Sequence, residues 1–139
     1  MQKNYFAKQI QLANEIKKPL LIHCVKSYAE VLQILKENKV SVPVVFHGFN
    51  KNAEQAEQII NQGYFLSFGK YLLDERGKEV FKLLPLEKIF LETDDSPVEI
   101  ETIYKSAALA KQMDVLILKQ QIEKNAKLVF GKNFIEHDE

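Results

Sequence analysis

The sequence has little that would mark a secreted or membrane-bound protein. It has one cysteine, Cys24, so no disulfide can form within the chain, which suits a reducing compartment. The N-terminal stretch MQKNYFAKQIQLANEIKK has no continuous apolar run and no small-residue cleavage site, so it resembles neither a signal peptide nor a membrane anchor. We therefore expect a cytoplasmic protein with no membrane partner.

Excess charge of either sign is also missing. The chain carries 19 Lys and Arg residues against 19 Asp and Glu residues, so its formal net charge is zero. A long-range field that would attract nucleic acid is therefore absent, although a local patch can still exist. Arg76 is the single arginine, so bidentate clamps on phosphate are nearly unavailable and lysines would have to contact any anionic substrate.

What the sequence does contain is an alternation of short apolar runs and amphipathic stretches, enough for one domain over residues 1–139. The runs predict strands near residues 20–24, 43–47, 64–68 and 88–93. The amphipathic stretches predict helices near residues 4–17, 27–35, 50–62, 71–84, 99–112 and 115–126. This order indicates an α/β fold of parallel strands joined by right-handed crossovers. No Gly-rich phosphate loop follows any strand, so a nucleotide-binding doubly wound sheet is unsupported.

Local signals predict where several helices begin and end. Ser27 can cap the second helix, with Glu30 as its capping-box partner. Asn50 is predicted to open the third helix, and Gly77 is predicted to interrupt the fourth. After Gly131 the polar tail KNFIEHDE is predicted to fray, with His137 solvated there.

Three of the predicted strands end on side chains that can bind metal. The run PLLIHC ends near His23, PVVFHGF ends near His47, and KIFLETDD leads to Asp94. Because the C-terminal ends of parallel strands share one side of a sheet, we expect these residues to project into one crevice. Imidazole and carboxylate ligands suit zinc or similar divalent metals, and such a metal can activate water for hydrolysis.

The same residues also have an ordinary structural interpretation. A single histidine at a strand end is more often a hydrogen-bonded residue than a ligand, so neither His23 nor His47 is decisive alone. Their occurrence on successive strands, with Asp94 two strands further on, leaves the metal site and the structural interpretation both open. Glu92 alternates onto the same side as Asp94 but lies deeper. It is interpreted as an acid that supports a ligand or joins a core network, not as a ligand itself.

Taken together, the motifs resemble a known family. The stretches FAKQIQLANEIKKP, LLIHC, VVFHGF, GYFLSFG, LPLEKIFLETDDSP and NAKLVFG, in this order, are similar to the TatD-related deoxyribonucleases. These are metal-dependent hydrolases with a TIM-barrel fold. The resemblance covers nearly the whole chain, and LETD after LPLEKIF is its strongest part.

The resemblance implies a set of roles for the strand-end residues. His23 and His47 would bind one metal of a two-metal site, and Asp94 would bind the other and help to activate the attacking water. The cofactor would be a divalent metal, either zinc, manganese or magnesium, and the substrate DNA or another phosphoester. The family's H-x-H pair and bridging glutamate have no counterpart in these 139 residues. The expected fold is therefore a partial TIM barrel, consisting of its last four strand–helix units.

Two further interpretations remain open from the sequence. The chain could be a catalytically incomplete fragment that folds by self-association, or a non-enzymatic α/β interaction domain whose histidines are structural. Four strands leave two open sheet edges, which a closed barrel would not have. We therefore expect either self-association or a requirement for the N-terminal half of the barrel.

Overall fold

The structure, a computed structural model, describes residues 3–23, 27–93 and 98–137, with side chains for residues 4–23, 27–93 and 98–131. Strands and helices alternate over these residues. They are α1 (Lys3–Ile16), β1 (Leu20–Ile22), α2 (Tyr28–Glu37), β2 (Val44–Phe46), α3 (Ala53–Asn61), β3 (Phe65–Phe68), α4 (Glu75–Lys82), β4 (Ile89–Leu91), α5 (Ile100–Lys111) and α6 (Val115–His137). Short 3₁₀ turns at Lys70–Leu73 and Leu86–Lys88 precede α4 and β4.

The strands form one parallel sheet in the order β1-β2-β3-β4. Leu21 lies opposite Val45, Val45 opposite Phe65, and Ser67 opposite Phe90. The predicted strand positions, their parallel direction and their sequential order are confirmed. Such an arrangement is that of half a TIM barrel, in which each strand is followed by its crossover helix.

The helices form a layer in which each one packs against the next along the chain, from α1 to α6. Apolar side chains between this layer and the sheet make one contiguous core. Phe68 of β3 lies within it, fully buried, with its ring 5.3 Å from that of Phe81 on α4 and edge-on to it. Burying a ring of this size contributes about 1.5–3 kcal/mol of stability, so the central strand holds the layers together.

The first residues of α2 and α3 can be compared with the predicted helix caps. Ser27 caps α2 as predicted, and its Oγ accepts a hydrogen bond from the Glu30 N–H at 3.3 Å. The prediction that Asn50 opens the third helix is wrong. The cap is Asn52, whose Oδ1 accepts from the Gln55 N–H at 2.9 Å, so α3 starts two residues later.

The predicted interruption near Gly77 is displaced. The chain breaks at Asp74, between the 3₁₀ turn and α4, and Gly77 lies buried inside the helix. A methyl group on Gly77 would overlap the backbone carbonyl of Tyr71. The glycine is therefore required by close packing of the preceding turn and not by a helix end.

A lysine closes the C-terminal end of α4. The Lys111 Nζ, on the last turn of α5, donates hydrogen bonds to the carbonyls of Lys82 and Leu84. The Lys82 carbonyl lies in the last turn of α4, where the helix leaves carbonyls without an intrahelical donor, and Leu84 follows the helix. Burial lowers the pKa of Lys111, and the nearby charge of Glu87 acts in the opposite direction.

The last helix, α6, continues past the predicted stop. Its backbone breaks at Gly131 (φ 72°, ψ −169°) and is helical again up to His137, so the described part of the tail predicted to fray is helical. Within α6, Asn125 is buried, and its Nδ2 donates to the carbonyls of Leu86 and Ile89, both at 2.8 Å. This side chain fixes α6 to the beginning of β4.

We expect Gly77→Ala to destabilise the protein by about 1–3 kcal/mol, because the added methyl forces the Tyr71 carbonyl to move. Intrinsic helix propensity alone would predict the opposite change in stability, since alanine is about 1 kcal/mol better than glycine in a helix. Urea denaturation at fixed protein concentration measures the change. Glu79→Ala, at an exposed position of α4, is the control and should shift stability by less than about 0.5 kcal/mol. Equal stability of Gly77→Ala and the parent would contradict this account.

Candidate metal centre

Two histidines lie side by side at the C-terminal ends of β1 and β2. The strands end at Ile22 and Phe46, which are register partners, so His23 and His47 follow at the same level of the sheet. Their rings are stacked with centroids 4.8 Å apart and an interplanar angle of 20°. The structure thus brings together two of the three residues for which a metal role is predicted.

A carboxylate from β4 contacts this pair. The Oε1 of Glu92, one residue beyond the end of β4, lies 3.1 Å from Nδ1 of His47. The same oxygen accepts a hydrogen bond from the Gly48 backbone N–H at 3.3 Å. Glu92 therefore binds both the ring and the backbone at the end of β2, although 45 residues separate it from His47.

The contact crosses the strand that lies between the two partners. β3 separates β2 from β4, and its continuation at Gly69 runs beside Glu92. A Cβ on Gly69 would lie 3.0 Å from the Glu92 carbonyl oxygen and 3.4 Å from its Cγ. The missing side chain at Gly69 therefore leaves the space through which Glu92 reaches His47. Gly69 was not among the candidate residues, although a glycine directly after a buried strand is a signal of close approach.

The hydrogen bonds of Glu92 also decide which nitrogen of His47 carries the proton. A carboxylate in its ionised form only accepts hydrogen bonds, and Oε1 accepts one from Gly48, so this geometry predicts Nδ1 of His47 as the donor. In the neutral ring Nε2 then has the lone pair. A carboxylate on one ring nitrogen is the usual way in which proteins orient a histidine that binds metal through the other.

Solvent exposure increases from Glu92 through His47 to His23. The side chain of Glu92 is 12% exposed and that of His47 is 23% exposed, whereas His23 is an exposed residue. The Glu92–His47 bond thus lies in a partly dry environment, in which its electrostatic part is stronger than in water. His23 forms the solvent-accessible side of the pair.

The rest of the predicted ligand set cannot be placed in the same way. Asp94 lies outside the described residues, as does Cys24. Within residues 4–23, 27–93 and 98–131, whose side chains the structure describes, no three His, Cys, Asp or Glu side chains are grouped so that they could hold a metal ion. What the described part of the chain offers is two imidazoles on one face and a carboxylate that orients one of them.

A shallow cleft lies at the same end of the sheet. It is lined by residues that follow β2, β3 and β4 in the chain. They are Asn50, Lys70, Tyr71, Leu73, Asp74, Glu75 and Val98. Lys70 is cationic, whereas Asp74 and Glu75 are acidic, so the lining has no positive excess. Among the residues that the structure describes, no helix is both long enough and apolar enough to cross a membrane.

The comparison with protein families agrees with this geometry. The profile of the family described as TatD related DNase matches residues 1–131. The chain belongs to this family.

Individual relatives give the same assignment. The uncharacterized metal-dependent hydrolase YabD of Bacillus subtilis is 29% identical over 96% of this chain and 59% of its own length. The 3'-5' ssDNA/RNA exonuclease TatD of Edwardsiella piscicida is 28% identical over 93% of this chain and 58% of its own length. The chain therefore spans somewhat more than half the length of these relatives.

Solved structures show the same fold at lower sequence identity. The crystal structure of YJJV, a TatD homolog from Escherichia coli, superposes with a TM-score of 0.80 at 21% identity, over 88% of this chain and 54% of that one. A hydrolase of the TatD family from Entamoeba histolytica superposes with a TM-score of 0.75 at 18% identity. The predicted family and the predicted partial barrel are confirmed.

The orientation of His47 by Glu92 can be tested with Glu92→Gln. An amide oxygen is a weaker acceptor, and the amide NH₂ can donate to Nδ1, so the Nε2–H tautomer of His47 becomes accessible. We expect the parent to hold the neutral ring of His47 as the Nδ1–H tautomer and the variant to show a mixture. Long-range ¹H–¹⁵N NMR correlations of the imidazole measure the tautomer.

The control is Glu54→Gln, an equal change of charge at an exposed residue of α3, which should leave the His47 spectrum unchanged. A predominantly Nε2–H ring in the parent would show that Glu92 does not fix the tautomer.

Proposed function

We propose that this chain contributes to a metal-dependent hydrolase that cleaves phosphodiester bonds of nucleic acid. His23 and His47 would hold a divalent metal, and the carboxylate of Asp94, a residue outside the described ones, would help to activate water. The observation that carries the proposal is the stacked histidine pair whose inner ring is oriented by Glu92. A carboxylate–histidine arrangement of this kind at strand ends is typical of metal sites.

The donor set favours some metals over others. Imidazole nitrogen is a good ligand for zinc and for similar transition metals, whereas magnesium prefers oxygen ligands and retains its waters. The two imidazoles of His23 and His47 therefore suit zinc better than magnesium. The residues present fit such a metal, although they do not by themselves complete its coordination.

Each residue has a separate task in the proposed reaction. Glu92 keeps the proton of His47 on Nδ1, so that Nε2 can act as a ligand. The carboxylate of Asp94 would accept a proton from the water that attacks phosphorus, while the P–O bond to the leaving sugar oxygen breaks and that oxygen takes up a proton from solvent. A divalent metal at this site would supply Lewis acidity toward a phosphoryl oxygen and lower the pKa of water.

A relative supports a nucleic-acid substrate, whereas the charge of this chain does not favour the binding of a polyanion. The Edwardsiella piscicida relative is named as an exonuclease of single-stranded DNA and RNA. The present chain has a net charge of zero, and the cleft beside the strand ends has no positive excess. We infer that the metal supplies much of the positive charge that attracts the phosphate, with Lys70 as the nearby cationic side chain.

The full activity needs more than these residues. The chain spans 59% of the Bacillus subtilis relative, and its described ligands are two imidazoles. We propose that it corresponds to the C-terminal half of the barrel and that further ligands come from the N-terminal half. A two-metal clamp on the attacking and leaving oxygens, with ions about 3.5–4 Å apart, requires those ligands.

Metal binding is the first test. We expect the chain to bind zinc or manganese weakly but measurably by isothermal titration calorimetry, since two imidazoles are available. His23→Ala and His47→Ala should abolish the signal, and Glu92→Gln should weaken binding by about 10–100-fold.

Glu54→Gln is the matched control and should bind as the parent does. Unchanged affinity after both histidine substitutions would favour the structural interpretation of the histidines and with it a non-enzymatic interaction domain.

Nuclease activity is the second test. With metal added, we expect the 139 residues alone to cleave single-stranded DNA little above background. Fusion to the N-terminal half of a relative such as the Bacillus subtilis protein should raise cleavage by more than about tenfold, and Asp94→Asn in the fusion should remove that gain. Rapid cleavage by the chain alone, abolished by Asp94→Asn, would show that the N-terminal half is not required.

A further inference from the structure

The shallow cleft at the strand ends is built on the same chain segments as the histidine site. Asn50 lies on the segment that follows His47, and Lys70 directly follows Gly69, which packs against Glu92. The cleft and the candidate metal centre are therefore joined through the ends of β2 and β3. The cleft has a volume of about 740 Å³, within the range of about 300–1,000 Å³ that small-molecule sites have in proteins.

Tyr71 gives this cleft an aromatic ring whose position is fixed. Its hydroxyl donates a hydrogen bond to the Lys51 carbonyl at 3.2 Å, which joins the chain after β3 to the chain after β2. The ring lies nearly parallel to that of the buried Phe68, at an interplanar angle of 10° and with 6.5 Å between the centroids. Because Tyr71 is held at its hydroxyl and packed against Phe68, it loses little conformational freedom when a flat ligand stacks on it.

The rest of the lining disfavours a phosphate inside the cleft. Leu73 and Val98 are apolar, and Leu73 is 42% exposed although its side chain is large and aliphatic. The charged residues are two acids, Asp74 and Glu75, and one cation, Lys70. A phosphate would be repelled by the excess of negative charge, so the part of a nucleic acid that fits this lining is an uncharged base.

Asp74 has a carboxylate that its own helix does not use. It is the N-cap residue of α4, a position at which an aspartate side chain ordinarily accepts a hydrogen bond from the first turn, but here the side chain makes no such bond. Glu75, in contrast, pairs with Lys78 on the same helix at 3.4 Å. Asp74 is therefore the acid of the lining that can serve a ligand, and an ionised carboxylate only accepts hydrogen bonds.

We propose that this cleft binds a base of the nucleic-acid substrate and selects adenine and cytosine over thymine. The inference rests on the proposed function, because it assumes that nucleic acid reaches the metal centre. Tyr71 stacks on the base, between the apolar side chains of Leu73 and Val98. Asp74 accepts a hydrogen bond from the exocyclic amino group of adenine or cytosine. At the corresponding position thymine has a carbonyl oxygen, which a carboxylate repels.

The two parts of a nucleotide then lie on different surfaces. The phosphate binds at the metal, and Lys70 is the cationic residue between Gly69 and the rest of the lining along the chain. The base binds to residues further along the same segment, from Tyr71 to Asp74. Stacking does not require a positive surface, which agrees with the zero net charge of the chain.

Titration with nucleosides is the primary test, because they carry the base without phosphate. ¹H–¹⁵N spectra of the 139-residue chain, recorded with a chelator present, should show saturable shifts at Tyr71, Leu73 and Asp74 when deoxyadenosine or deoxycytidine is added. Thymidine should bind at least about tenfold more weakly, since the contact to the amino group is replaced by repulsion. Equal affinity for thymidine, or no saturable shift with any nucleoside, would overturn the proposal. Neither metal nor phosphate is present, so the outcome is independent of the metal-binding and nuclease tests.

Asp74→Asn tests the selection of the base. An amide can donate as well as accept, so the preference for deoxyadenosine over thymidine should fall to less than about threefold. The matched control is Asp114→Asn, the same change in front of α6, where Oδ1 of Asp114 accepts from the Leu116 N–H at 2.7 Å. Asparagine caps a helix as well as aspartate does, so this variant should keep the preference of the parent. An unchanged preference in Asp74→Asn would overturn the role of Asp74.

Two substitutions of Tyr71 test the stacking. Tyr71→Phe keeps the ring and should bind deoxyadenosine within about threefold of the parent, whereas Tyr71→Leu removes the ring and should weaken binding by about 5–150-fold. The dispersion of the amide signals shows whether each variant is folded. Equal affinity of the two folded variants would overturn stacking on Tyr71, and the comparison of nucleosides on the parent chain decides the proposal without either variant.

Discussion

The hydrogen bond from His47 to Glu92 passes over the end of β3 and depends on Gly69, which has no side chain there. Glu92 and His47 are on strands that are not neighbours, and they meet because Gly69 leaves room above β3. The order of the sheet, the separation of its strands and the tautomer of the ring are thus coupled. Any change that displaces the end of β3 would alter the orientation of the His47 ring, without altering His47 itself.

The arrangement of the sheet and the helix layer also explains why the candidate site is accessible to solvent whereas the core is buried. The helix layer covers one side of the sheet and buries its apolar residues, so the chain has a core of its own. The polar groups gather where the strands end, next to two edges that a complete barrel would pair. Stability therefore comes from the layer contacts within the chain, whereas completion of the site depends on what lies against the edges.

The sequence was sufficient for features that depend on short-range patterns. Apolar runs predicted the strands and their parallel direction, and the resemblance to the family implied their sequential order. It was insufficient where distant groups decide. Asn50 was predicted to open α3, but the residue that caps it is Asn52. Gly77 is explained by the carbonyl of Tyr71, a contact that no local pattern shows. The partner of Glu92 depends on the relative positions of three strands.

Asn125 has a consequence for how the chain is made. Its amide bonds to carbonyls 39 and 36 residues earlier, at Leu86 and Ile89, so the beginning of β4 acquires its final partners from near the C-terminal end. During synthesis β4 emerges from the ribosome before those partners exist. Until α6 follows, the Ile89 carbonyl at the edge of β4 lacks its hydrogen bond from Asn125. The edge of β4 is then as unprotected as that of β1, and this is the interval in which pairing with a neighbouring chain is easiest.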